Sequence, residues 1–381
     1  MAERLSARLD DLRGAAAMLV VLGHARALSF PPFSDVSADG IGRVAVLAVY
    51  AATGLGRQAV FVFFVLSGYL ILGSAAGAAV RSPTRPVRTF VSSRVARLVV
   101  VHWPAIALTL VLDAVSRATI PDRLAEVART SAVLPEAALR APTAAEVVGN
   151  AVFLQTVLVR PLGTNGALWS LAHEFWFYLL AAVGVALVVS ARRAAIGVVL
   201  AVVLTGLVAG DMLVGLAAFL GGGVARWAAT RWPPRGSVAA VALRLSLLTG
   251  GLLLAGSAVG RSDLLAMLAG LCIAVHLWAL SAESLPPQVS APRRALHWVA
   301  RTSFSLYAFH LPVMVLLAAA VAPSVGSVSP GSASLLMAAL VATSAGFGAL
   351  GAALLERRTD LARRLLGGNY PRTVGGPDVN P

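Results

Sequence analysis

LRGAAAMLVVLGHARALSF, residues 12–30, is apolar over the length of a membrane span yet carries Arg13 and His24. A helix turns about 100° per residue, so both side chains fall on one face, about 16 Å apart along the axis. An ionisable group at such depth is costly unless it faces a bundle interior or a water-filled cavity. The stretch therefore predicts a transmembrane helix whose His24 belongs to a site. Two structural alternatives stand beside that reading: Arg13 snorkelling to the membrane surface, and His24 bonding only to a neighbouring helix.

The rest of the chain repeats the pattern. Of 381 residues 58% are hydrophobic and 13% charged, and the mean hydropathy is +0.82, unlike a soluble domain. Further apolar stretches lie at 59–77, 95–114, 168–189, 194–209, 212–228, 238–258, 264–280, 303–321 and 333–355. Together they predict an all-α, polytopic transmembrane helix bundle of about ten spans. Only Gly210 and Asp211 part the stretches 194–209 and 212–228, which are both short.

The net charge of +14 comes from Arg alone, since the chain has no Lys. Placing the N-terminus in the cytoplasm puts most of the Arg on the inner side and leaves the outer side near neutral, as the positive-inside rule requires. Both termini are then cytoplasmic, the plasma membrane is the expected location, and nucleic acid is not an expected partner. Cys272, the lone cysteine, can form no intrachain disulfide. Ala25-Arg26-Ala27 resembles a leader cleavage site, but Asp10 and Asp11 interrupt the basic leader and cleavage would remove His24.

Residues 1–366 read as one membrane-embedded domain and 367–381 as a disordered tail. Residues 31–56 read as an outer loop, apolar around 44–49 and suited to the membrane surface. Residues 115–166, punctuated by Pro121, Pro135, Pro142 and Pro161, read as a lid or acceptor-binding surface. The segment 81–97 reads as a short inner loop with five Arg and no acid.

Polar groups on four stretches agree in depth. His24, Ser67 with Tyr69, Glu174, and His310 with Ser303 and Tyr307 all fall near mid-membrane when each helix is run from its own end. Arg94 and Arg97, three residues apart, present paired guanidinium forks suited to phosphate oxygens, with Arg88 close by. Each has a bland counterpart: a topology signal for the Arg group, interhelical hydrogen bonds for Glu174 and His310, an interfacial aromatic belt for Trp169, Trp176 and Tyr178. His173 is read as an interface residue, and His102, His276 and His297 as structural. No close His/Asp/Glu spacing suggests a metal.

In order, these residues resemble acyltransferase family 3, the integral-membrane O-acyltransferases. Leu9-Asp10-Asp11-Leu12-Arg13-Gly14-Ala15 with Leu22-Gly23-His24 is similar to the family's opening, a basic residue, ten others and a histidine. Phe63-Phe64-Val65-Leu66-Ser67-Gly68-Tyr69 is similar to its second helix and Arg94-Val95-Ala96-Arg97 to its inner Arg pair. Leu168-Trp169-Ser170-Leu171-Ala172-His173-Glu174 and Ser303-Phe304-Ser305-Leu306-Tyr307-Ala308-Phe309-His310 match two later helices. Phe175 stands where a second acid is frequent, and the proline after the Arg pair comes late, at Pro104. The hydrolase-like extension of some members is not expected.

The resemblance implies transfer of an acyl group, commonly acetyl, from cytoplasmic acyl-CoA to a hydroxyl of a carbohydrate or glycosylated acceptor. It implies His24 as general base or transient acyl carrier, with Glu174 orienting it or binding the acceptor, and Arg13 guiding the thioester. Arg88, Arg94 and Arg97 would hold the coenzyme A phosphates. Ser67, Tyr69, Trp169, Tyr307 and His310 would contact substrate. A secondary transporter would also place ionisable groups at mid-membrane, but it should show inverted repeats and broken helices, and neither is evident.

Overall fold

Backbone N–H and C=O groups find no water in lipid, so a chain this apolar must pair them internally. A computed structural model describes residues 2–36, 40–81, 86–131, 133–189, 196–197, 210–260, 263–282, 290–321, 329–359 and 361–362. Among them helices account for nearly all regular structure, and the one extended pairing is a single bridge between Gln155 and Val159. The helices are α1 (Ala2–Ser29), α2 (Gly40–Thr53), α3 (Gly56–Arg81), α4 (Pro86–Thr119), α5 (Pro121–Thr130) and α6 (Ala144–Ala151). They continue as α7 (Trp169–Val189), α8 (Gly210–Arg231), α9 (Gly236–Gly260), α10 (Asp263–Leu280), α11 (Ala291–Val321) and α12 (Pro330–Leu354).

By length and composition, six described helical stretches can cross a membrane unaided: Val46–Leu72, Phe90–Thr119, Met212–Arg231, Gly236–Leu253, Ala291–Val321 and Pro330–Arg358. Leu264–Leu280 is apolar but shorter. The chain is thus all-helical and membrane-embedded. An expectation of ten spans also needs α1, α7, α10 and the stretch 194–209, of which only 196–197 lie within the described residues. The tail 367–381 lies outside them as well.

Helix α11 is the axis. In its most apolar window 72% is buried, against 17% for the window in α9, which sits on α10 at the rim. Helices α1, α4 and α12 pack on α11, while α3 links α1 to α7 and α8. α1 and α11 run parallel and close. A Cβ on Gly14 would lie 2.3 Å from the Leu296 carbonyl oxygen, so only a glycine lets the two backbones meet there. Asp11 locks the register beside it, accepting from Arg293 and, at 2.8 Å, facing His297 Nε2.

Three loop expectations need correction. Residues 31–56 are not a loop: α2 occupies Gly40–Thr53, and α3 begins at Gly56 rather than 59. Apolar 44–49 forms part of that helix, with Val44, Leu47 and Val49 exposed. Helix α4 starts at Pro86, a residue suited to the first turn where its missing N–H is harmless. Arg94 and Arg97 therefore sit about 12 and 16 Å along a helix instead of in an inner loop. Finally, α4 runs through Thr119, so the segment read as 115–166 begins in a helix.

Beyond α4 the chain folds into an ordered cap. α5 packs on α11, and α6 starts with a capping box in which Thr143 accepts from the Glu146 N–H and the Glu146 carboxylate accepts from the Thr143 N–H at 2.8 Å. Asn150 donates to the carbonyls of Glu146 and Arg160, and its own carbonyl faces His102 Nε2 at 2.8 Å.

Candidate active site

The start of α7 is set by a proline in another helix. Pro312 inside α11 has no N–H to give the Ala308 carbonyl, one turn back. Asn165 supplies the missing donor, its Nδ2 lying 3.0 Å from that carbonyl and 3.0 Å from Thr109 Oγ1 on α4. Next to it Thr164 N–H donates to Asp113 at 2.9 Å. Gly163 has φ +50°, and a Cβ there would fall 1.9 Å from the same carboxylate. The turn before Trp169 is therefore pinned to α4 and α11, which aims the first turns of α7 into the bundle.

Two cavities result. The first, about 350 Å³, is lined by Arg13 of α1, Ser67 of α3, Arg94 and Arg97 of α4, Ser170, Glu174 and Tyr178 of α7, and Ser303, Phe304 and Tyr307 of α11. The Glu174 carboxylate accepts from Ser67 Oγ at 2.7 Å and from the Tyr178 hydroxyl. Arg13 lies 3.4 Å from Asp10, and Arg97 sits over the Phe304 ring at 6.0 Å. Among its described lining residues are three guanidinium groups and one carboxylate, an excess of positive charge that suits an anion.

The second cavity, about 790 Å³, lies toward the cap and is lined by His24 of α1, Arg57 of α3, Thr156 and Ala167 of the cap, and Trp169 and His173 of α7. Val60 and Tyr307 line both cavities and so stand between them. The Tyr307 hydroxyl accepts from Ser170 at 2.7 Å and donates to the Ala167 carbonyl at 2.9 Å. At the cap wall Phe153 and Thr156 have φ of 62° and 66°, strained for residues other than glycine. Phe153 is wedged between His102 and Phe175, and Thr156 Oγ1 lies 3.0 Å from His173 Nε2.

His24 is half-buried, facing this cavity, and its Nδ1 lies 2.7 Å from Nε2 of the fully buried His310. His310 Nδ1 is in turn 2.7 Å from the Tyr307 carbonyl oxygen.

The sequence-derived residues thus divide. Arg13, Arg94, Arg97, Ser67 and Glu174 share the first cavity, His24 and Trp169 the second, and Tyr307 both. The Glu174 carboxylate bonds Ser67 and Tyr178 and lines the cavity that His24 does not line. His310 has no exposed surface and lines neither cavity; it backs His24. Tyr69, two residues beyond Ser67 and so on another face of α3, lines neither cavity; Arg226 lies 5.5 Å over its ring. The side chain of Arg88 lies outside the described residues.

His173, read from sequence as an interface residue, lines the second cavity, as do Arg57 and Thr156. Position 173 beside Glu174 was the one available signal; nothing in the sequence marks Thr156. His276 and His297 have structural partners in Ser246 and Asp11. Among the described residues no cluster of three His, Cys, Asp or Glu could hold a metal ion.

The sequence profile of acyltransferase family 3, described as an acyltransferase domain, matches residues 6–355. No curated protein and no solved structure matches the chain. The matched stretch takes in α1 from residue 6, all of α2 to α12 and every residue lining the two cavities. The chain therefore belongs to acyltransferase family 3 and is a membrane acyltransferase.

Proposed function

We propose that the protein moves an acyl group, most simply acetyl, from cytoplasmic acyl-CoA to a hydroxyl of a carbohydrate or glycosylated acceptor in the plasma membrane. The observation that carries this reading is the pair of cavities meeting at Tyr307 and Val60, one rich in Arg and the other holding His24. In it, Arg13, Arg94 and Arg97 receive the phosphates and thioester of the donor, with α1 and α4 starting on the cytoplasmic side. The second cavity, with Trp169 as a stacking surface, receives the acceptor.

In the transfer, His24 Nε2 takes the hydroxyl proton as the acceptor oxygen bonds the acyl carbon. The C–S bond then breaks, its electron pair leaves on the thiolate, and the proton passes from His24 to that sulfur. An acyl-histidine variant would use the same Nε2 as nucleophile. Glu174, bonded to Ser67 and Tyr178, keeps the wall of the donor cavity in shape.

The test is transfer from radiolabelled acetyl coenzyme A in membranes expressing the wild type or His24→Ala at equal folded abundance, with host glycans and lipids as acceptors. Incorporation by the wild type that disappears in the variant supports the reading. Equal incorporation by both removes His24 from the chemistry.

A further inference from the structure

Resting on that reading, we propose that His310 is a positioning residue: it holds His24 in the tautomer whose Nε2 is free to act as the base. Tyr307 O can only accept, so its 2.7 Å contact requires His310 Nδ1 to carry the hydrogen. A neutral imidazole has one N–H, which leaves His310 Nε2 as a bare acceptor. That acceptor lies 2.7 Å from His24 Nδ1, so His24 Nδ1 is the donor. By the same rule His24 Nε2 is bare, on the member of the pair that faces the second cavity.

The ring geometry agrees. The imidazole centroids are 5.0 Å apart and the planes differ by 22°, so the rings are nearly coplanar and joined edge to edge, as an in-plane N–H···N bond requires. No carboxylate among the described residues lines the cavity around His24; its titratable and charged company there is Arg57, His173 and Tyr307. The role that an acid commonly plays in fixing a catalytic histidine thus falls to a second histidine, itself fixed by the backbone of α11. Once His24 Nε2 has taken the hydroxyl proton, its Nδ1–H bond to His310 becomes charge-assisted, which stabilises the imidazolium until the thiolate recovers the proton.

Two variants separate this role from packing. His310→Gln offers a side-chain oxygen that can accept from His24 Nδ1, whereas His310→Met has similar reach and no comparable acceptor. In purified protein reconstituted in nanodiscs, His310→Met should lose about 100-fold or more in kcat with both KM values nearly unchanged, and His310→Gln should stay within about tenfold of wild type. The acidic limb of the kcat profile should move in His310→Gln, because His24 then titrates alone rather than as one of a coupled pair. Nitrogen-15 spectra of histidine-labelled wild type give a readout free of turnover. The His24 resonances, assigned by their loss in His24→Gln, should show a protonated Nδ1 and a bare Nε2.

His24 protonated on Nε2 would overturn the proposal, as would His310→Met near wild-type activity or the two variants failing equally at equal folded abundance. A wild type that transfers no acyl group would sink the transferase reading instead, and the tautomer measurement would still decide the proposal.

Discussion

His24 and His310 stand 286 positions apart in sequence and 2.7 Å apart in space, and Asp11 and His297 repeat the same separation at 2.8 Å more than three turns earlier. Two contacts with one offset mean that α1 and α11 run parallel in fixed register. The placement of His24 against His310 is therefore set by helix packing near the start of both helices, well away from the cavity.

That dependence makes Gly14 sensitive. Gly14→Ala puts a methyl group against the Leu296 carbonyl and must push α1 from α11. We expect a destabilisation of about 1–3 kcal/mol, read as a lower Tm in detergent, together with reduced transfer. Gly346→Ala, where an added Cβ meets nothing within 4 Å, should leave both unchanged.

Pro312 and Asn165 should couple. Asn165→Ala leaves the Ala308 carbonyl buried without its donor, a loss of about 1–3 kcal/mol. In a Pro312→Ala background the new backbone N–H can bond that carbonyl within the helix, so Asn165→Ala should cost less there. Tm values for the four proteins of this cycle measure the difference. Equal losses in both backgrounds would refute the account of how α7 is positioned.

Arg94 and Arg97 should act on donor binding. Replacing either by Ala removes a charge-assisted contact of about 1.5–3 kcal/mol, which raises KM for acyl-CoA about 10- to 100-fold with less change in kcat. Lys at the same positions should rescue poorly, because an ammonium lacks the two-pronged geometry. A fall in kcat at unchanged KM would move these residues out of the donor site.

The cap should loosen in acid. Hydrogen bonds from Arg140 and from the Thr143 backbone hold the Glu146 carboxyl down at about 2, below its ordinary 4.5. A depressed carboxylate stabilises the folded form fully above the unfolded value and loses that contribution as pH falls from 4.5 through 2. After correction for the intrinsic slowing of amide exchange in acid, hydrogen-exchange protection over α6 should fall across that window. Glu146→Gln should exchange faster at neutral pH and show no such step.

Much of this was legible from residues 12–30 and the later apolar stretches, since spacing alone puts Arg13 and His24 on one helix face and marks Ser303, Tyr307 and His310 on another. What spacing does not carry is which faces meet. The resemblance puts Glu174 either beside His24 or at the acceptor; Val60 and Tyr307 lie between the cavities of Glu174 and His24, and Glu174 bonds Ser67 and Tyr178. The partner of His24 depends on the register of two helices far apart in the chain, which no local pattern encodes.

Boundaries failed for a different reason. Hydropathy places a helix start where apolar residues begin, at 95, whereas Pro86 and the following polar turn start α4 about 14 Å earlier. That error puts Arg94 and Arg97 in the first turn of a helix, when they lie about two to three turns into α4 and line a cavity wall. Helix α2 is apolar but only 14 residues long, too short to register as a span of its own, and it is followed by Gly54 and Gly56.

Acyl transfer by the proposed route requires His24 as the proton acceptor. The most direct measurement is single-turnover acyl transfer by purified His24→Gln in nanodiscs, beside wild type, with donor saturating and donor affinity measured separately. The expected rate for the variant is lower by about 10²–10⁴-fold at unchanged donor affinity. Transfer within a few-fold of wild type would contradict it.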